Sequence, residues 1–158
     1  MGLDMMLYKN KKNKKNNWKN LEELVYWRKA NQIHRYFVEN VQNGIDDCSY
    51  YKVSKEQIEE LLRRCKDVIN RSQIGYSKII VGQTHVNGHW EPDYQKGRVI
   101  SNPGVAETIL PTQGGFFFGN TNYDEFYLRD IERTIEELEK VLEDFDFEND
   151  QLVYSSSW

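Results

Sequence analysis

Trp27, Arg28, Lys29, Asn31, His34 and Arg35 crowd into nine consecutive positions, 27–35. An Arg fork grips a phosphate or carboxylate through charge-assisted hydrogen bonds worth about 1.5–3 kcal/mol each. A neighbouring indole stacks on a base for about 1–3 kcal/mol. At helical spacing, Trp27, Asn31 and His34 share one face, and Arg28, Gln32 and Arg35 form the adjacent stripe, with Lys29 to the side. Asp46 and Asp47 follow a turn at Gly44, where a carboxylate can orient His34 or pair with Arg35. These residue types together suit a small anionic ligand with an aromatic part. They also satisfy a purely architectural reading: Trp27 in the core, His34 a buried and satisfied histidine, the cations on a solvated face.

Catalytic chemistry is less well supplied. His34, Asp47 and Cys48 are the ingredients of a Cys–His–Asp nucleophilic site. Cys48 follows two carboxylates, however, and carboxylates suppress the thiolate. His85 and His89 are four apart, but the Asn87-Gly88 turn between them sends His85 and His89 to opposite faces of a hairpin, and no Cys or carboxylate lies at ligand spacing. No metal site and no cofactor is therefore expected. The chain also lacks a Gly-rich phosphate loop. Thr112 and Gln113, just before Gly114-Gly115, are placed to give polar contacts if that turn lines a pocket. The terminal Trp158, after three serines, reads as a tied-down end packed in a groove, reaching the same pocket or a second subunit.

The elements that must position these groups follow from periodicity. Residues 3–8 read as a strand and Lys9–Asn17, devoid of apolar residues, as a flexible loop. Asn20 is a plausible cap for a first helix in which Leu24, Trp27, Ala30, His34, Phe37 and Val41 recur at helical spacing, stopping at Gly44. Ser54 and Gln57 form a capping box for a second helix with Ile58, Leu61, Leu62, Cys65, Val68 and Ile69 inward. Residues 76–110 read as a hairpin through Asn87-Gly88 and an irregular connection. Thr121 or Asn122 caps a third helix, whose stripe runs from Tyr127 through Ile131, Ile135, Leu138 and Leu142 to Phe145. LVYSSSW reads as a last strand pairing with the first. The expectation is one α+β domain over residues 1–158. It has three main helices and a small antiparallel sheet of N-terminal, central-hairpin and C-terminal strands.

Composition narrows the classes. The 158 residues suffice for one cored domain. Net charge is −4 but uneven: lysines crowd positions 9–19 and carboxylates crowd 136–150. The lysine run reads as a solvated loop, so a nucleic-acid partner is not expected. No apolar run approaches a membrane span, which leaves no membrane partner in view. Cys48 and Cys65 are too few for a disulfide framework, and free thiols point to an intracellular setting. Aromatics at 13 % are high and are useful at interfaces, so a homo-oligomer is compatible.

The blocks MGLDMMLY, YWRKANQIHRYFVENVQNGIDDC, LPTQGGFFFGNTNYDEFY and the terminal SSSW resemble a family of small accessory proteins of tailed phages and prophages. The segment Gln83–Thr108 departs from that pattern and has the look of an insertion. The resemblance implies expression in a host bacterial cytoplasm and a role against host defence. Three classes of function fit: a binder that sequesters a phosphate-bearing signal such as a cyclic or ADP-ribose-type nucleotide, a nucleotide-directed enzyme using His34 and Asp47, and a protein–protein inhibitor of a host defence or nucleic-acid-processing protein.

Overall fold

A computed structural model describes residues 2–13, 15 and 17–158. The expected α+β class holds, with three substantial helices, one short one and two small antiparallel sheets. Strand β1 (Asp4–Lys11) lies between β2 (Glu22–Arg28) and β6 (Asp150–Ser157), and β3 (Tyr51–Val53) completes the order β2-β1-β6-β3. The first and last strands pair along their whole length, from Asp4 opposite Ser157 to Lys11 opposite Asp150, as expected of chain ends that lie close together. Strand β1 extends into the lysine run, so the loop expected over 9–17 starts later; Lys14 and Asn16 lie outside the described residues.

The principal correction concerns the first helix. It spans only Asn31–Asn40 (α1), and the stretch expected to begin it is strand β2. Val25 and Trp27 are buried while Tyr26 and Arg28 are exposed, an alternation of period two. Val, Tyr and Trp in a row favour a pleated, half-buried surface, and that preference overrides a helical spacing of Leu24 and Trp27 that is coincidental. Asn20 therefore caps no helix. The break falls at Lys29, which adopts a left-handed φ of 55° and donates its N–H to the Leu3 carbonyl at 2.8 Å. Gly44 is left-handed as expected, although the helix is capped earlier, at Val41.

The second helix, α2 (Lys55–Arg71), carries the full Ser54–Gln57 capping box. The last helix, α4 (Glu125–Asp144), is capped by Asp124, whose carboxylate accepts from the Phe126 N–H, and not by Thr121 or Asn122. Ile58, Leu61, Cys65 and Val68 of α2 meet Tyr127, Ile131 and Leu138 of α4 in one core with Met5, Leu7 and Trp27 of the sheet. The Trp27 indole donates to the Thr134 hydroxyl at 2.9 Å, tying β2 to α4.

The central hairpin, expected to share the sheet of the terminal strands, instead forms a two-stranded sheet of its own from β4 (Ile74–Val86) and β5 (His89–Ile100). It turns at Asn87 and Gly88, both left-handed, with Val86 opposite His89 and His85 opposite Trp90. Its root is fixed by a bridge between Val99 and Asp124 and by buried Ile79 and Ile100. The connection expected to be irregular contains helix α3 (Gly104–Ile109). The Phe triplet splits: Phe118 is buried, whereas Phe116 and Phe117 are exposed. No helix of the described residues is long and apolar enough to cross a membrane.

Leu138 is fully buried between α2 and α4. Leu138→Ala should cost about 2–5 kcal/mol in urea or thermal unfolding. An unchanged unfolding midpoint would show that the α4 stripe is not core.

Candidate functional site

The end of β2, the start of α1, the loop 111–124 and the first turns of α4 enclose a cavity of about 290 Å³. Three cations line it: Arg28, Lys29 and Arg129. Four carboxamides join them, Asn31, Gln32, Asn120 and Asn122, with Phe126 and Tyr127 as rings and Asp130 as a carboxylate. Both α1 and α4 begin here; the uncapped start of α1 carries partial positive charge that favours anions, whereas the start of α4 already holds the Asp124 carboxylate.

Each wall has a local cause. Because β2 alternates, Trp27 turns into the core and Arg28 turns away from it. The Arg28 Nη1 contacts Asp4 Oδ1 at 2.8 Å, and the Tyr26 hydroxyl donates to the same carboxylate oxygen. Bonding to Tyr26 and Asp4 holds the Arg28 guanidinium above its ordinary range, and the Tyr26 hydroxyl, ahead of Arg28, holds Asp4 below its own. Lys29 projects from the left-handed link. The loop crosses it at Gly119, where φ is 89° and a Cβ would come within 3.2 Å of the Lys29 Cβ. A glycine is required there both by backbone conformation and by space.

Asn31 fixes the opposite wall. Its Nδ2 donates to the carbonyls of Phe118 and Asn120, each at 3.0 Å, and its Oδ1 accepts from the Gln113 N–H at 3.0 Å. The side chain is 2 % exposed, so it serves as a clamp on the loop rather than as a free ligand donor. Gln113 enters this wall through its backbone. Thr112 lines the cavity, and its hydroxyl donates to the Thr121 carbonyl at 3.2 Å. Asp130 is half-buried beside Gln32. Burial pushes its carboxyl up to about 6, against the opposing pull of the Arg133 charge and a hydrogen bond from Gln32.

Other expected members lie elsewhere. Arg35 bonds Glu39 at 2.7 Å and the Thr112 carbonyl at 3.0 Å, bracing the loop from behind. His34 is fully buried in a network of its own: Nδ1 lies 2.7 Å from the Tyr154 hydroxyl and Nε2 lies 3.0 Å from Asp46 Oδ2. The Asp46 carboxylate accepts from Nε2–H, which leaves Nδ1 to accept from Tyr154. Burial, opposed by Asp46, holds His34 below its ordinary value. The Trp158 indole donates to Asp46 Oδ1 at 3.0 Å, so the chain end is tied down, although its ring is half exposed rather than sunk in a groove. Asp47 does not reach His34; it accepts from the Tyr51 hydroxyl at 2.8 Å and from the Ser49 N–H at 3.1 Å. Cys48 is half-buried in a left-handed turn.

The structure thus gathers Arg28, Lys29, Asn31 and Thr112 in the cavity lining and leaves Trp27, His34, Asp46, Asp47, Cys48 and Trp158 out of it, with Arg35 outside the lining but bonded to the Thr112 carbonyl. It adds Arg129, Asp130, Asn120 and Asn122. The polar run Asn120-Thr121-Asn122 at the foot of a helix was the one visible signal for these. Among the described residues no group of three or more His, Cys, Asp or Glu is arranged to hold a metal ion.

The folded state holds the Asp130 proton more tightly than the unfolded chain does, with the value moved from 3.8 to about 6. Its contribution to stability is therefore full below the unfolded value and lost as pH rises through the folded one. Asp130→Asn abolishes that loss. The variant should gain on the parent by about 1–3 kcal/mol between acid and neutral pH, read from urea unfolding across that range. A difference that stays constant with pH would contradict a buried, strained carboxylate. Set against known proteins, the chain matches no family model, no curated protein and no solved structure.

Proposed function

We propose that this chain captures a small phosphate-bearing molecule of nucleotide type in the cavity at the β2–α1 junction. The observation that carries this reading is the convergence of Arg28, Lys29 and Arg129 on one polar cavity where two helices begin. The cations neutralise phosphate, the carboxamides supply directional hydrogen bonds to a sugar or base, and Phe126 offers a ring for stacking. A volume of about 290 Å³ suits a compact ligand, at the lower end of small-molecule sites. The left-handed backbone at Lys29 supports the same reading, since strained backbone concentrates at ligand-holding positions.

The reading is capture, not conversion. His34 and Asp47, the pair an enzyme would use, do not meet, and His34 has no exposed surface. The resemblance to accessory proteins of tailed phages gives capture a setting: an infected bacterial cytoplasm, where binding a nucleotide signal would blunt host defence.

The test is a melting-temperature screen of the whole protein with nucleoside monophosphates, ADP-ribose and cyclic dinucleotides. A ligand at a hundred times its Kd should add about 2.7 kcal/mol of apparent stability. Lys29→Ala and Arg129→Ala should each weaken that ligand about tenfold while the unliganded melting temperature stays put. Arg63→Ala, on α2 and outside the cavity, should bind as the parent does. Equal loss in all three variants, or no ligand that shifts melting, would remove the assignment.

A further inference from the structure

The β4–β5 ribbon is segregated by charge. Residues opposite one another in the ladder share a face, and each strand alternates, so the register sorts every side chain. One face carries Tyr76, Lys78, His85, Trp90, Tyr94 and Lys96. Both carboxylates of the ribbon, Glu91 and Asp93, fall on the other face. Contacts confirm the sorting. On the first face the Lys96 ammonium lies 5.8 Å from the Tyr76 ring centre, and the His85 and Trp90 rings meet edge to face at 5.2 Å. On the second, His89 pairs with Glu91 at 2.9 Å and the Thr84 hydroxyl donates to Asp93 at 2.8 Å.

The rings on the basic face are bare. Tyr76 is 70 % exposed, Trp90 66 % and Tyr94 58 %. An isolated two-stranded ribbon is marginal in water. These three aromatics keep most of their surface in solvent, although Trp90 meets His85, Tyr76 meets Lys96 and Tyr94 stands opposite Ile80. Trp90 and Tyr94 are four residues apart on β5, about 13 Å along the strand. Tyr76, opposite Arg98, lies the same distance further on, and the Lys78–Lys96 pair sits between Tyr94 and Tyr76. The result is a row of flat, exposed rings interrupted by ammonium groups, with no carboxylate of the ribbon on this face; at the Tyr76 end Arg98 pairs with Glu125 and Glu132 of α4.

We propose that this ribbon face is a stacking platform for single-stranded nucleic acid, distinct from the cavity at the β2–α1 junction. Bases stack on Trp90, Tyr94 and Tyr76, while Lys78 and Lys96 neutralise the phosphates that pass between them. Three rings spaced in this way span about four nucleotides, the low end of single-strand sites. A two-fold contact centred on the Lys78–Lys96 rung would set lysine against lysine, which disfavours that pairing of two copies.

The full-length protein should be titrated with labelled oligothymidine and oligouridine of about twelve nucleotides, at about 50 mM salt, by anisotropy and by tryptophan quenching. Trp90→Ala and Tyr94→Ala should each weaken binding by roughly 5- to 100-fold with unchanged melting, because both rings are in solvent. Tyr94→Phe should keep the affinity, since it keeps the ring. Lys78→Ala with Lys96→Ala should reduce the slope of log affinity against log salt by about 1.4. Three results would each overturn the proposal. One is no binding at low salt. Another is binding indifferent to both ring variants. The third is a dimer that Trp90→Ala converts to monomer, which would mean that a second copy covers the face.

Discussion

The buried carboxamide of Asn31 is the constraint on which the rest of the site depends. From the first turn of α1 it satisfies three backbone groups of the loop that follows α3. A carboxamide has two donors and a two-lone-pair acceptor, so this residue is nearly fully used. Losing it would leave buried backbone groups unpaired, at about 1–3 kcal/mol each. The loop it holds brings Gly119 over Lys29 and sets Asn120 and Asn122 opposite Arg129. Arg35 braces the same loop through the Thr112 carbonyl. The cavity is the space these restraints leave between α1, α4 and the loop.

Two acid–base environments then separate by accessibility. His34, Tyr154, Asp46 and Trp158 form a chain of hydrogen bonds that joins α1 to the C-terminal strand and the segment after α1. Every ring nitrogen of His34 is engaged and none reaches solvent, so the network fastens the fold. Asp130 is different: it is half-buried in the cavity wall, and burial pushes its carboxyl up to about 6. A carboxylate raised by desolvation in a cavity wall is the kind of perturbed group found at functional sites.

Much of the architecture was legible because period and capping agree locally. The Ser54–Gln57 box, the α4 stripe and the Asn87-Gly88 turn stand where apolar spacing and turn chemistry put them, and the terminal strands pair as neighbouring chain ends do. Strand β2 was not legible, because Leu24, Trp27 and Ala30 satisfy a helical spacing by accident while Val25 and Trp27 satisfy the alternation that wins. That error carried into the site: it placed Trp27 and Asn31 on one face, whereas the break at Lys29 sends the indole into the core and leaves Arg28 and Lys29 at the cavity. Arg129 and Asp130 were invisible for another reason. They sit just off an apolar stripe on α4, 100 residues from Lys29, and only the loop clamp brings them together.

The most direct measurement is a crystal structure of the protein soaked with the nucleotide that most raises its melting temperature. Phosphate density is expected in the cavity, within hydrogen-bond reach of Lys29, Arg129 or Arg28, with the Asn31 contacts to the loop intact. A cavity empty at saturating ligand, or a phosphate bound only elsewhere on the molecule, would contradict it.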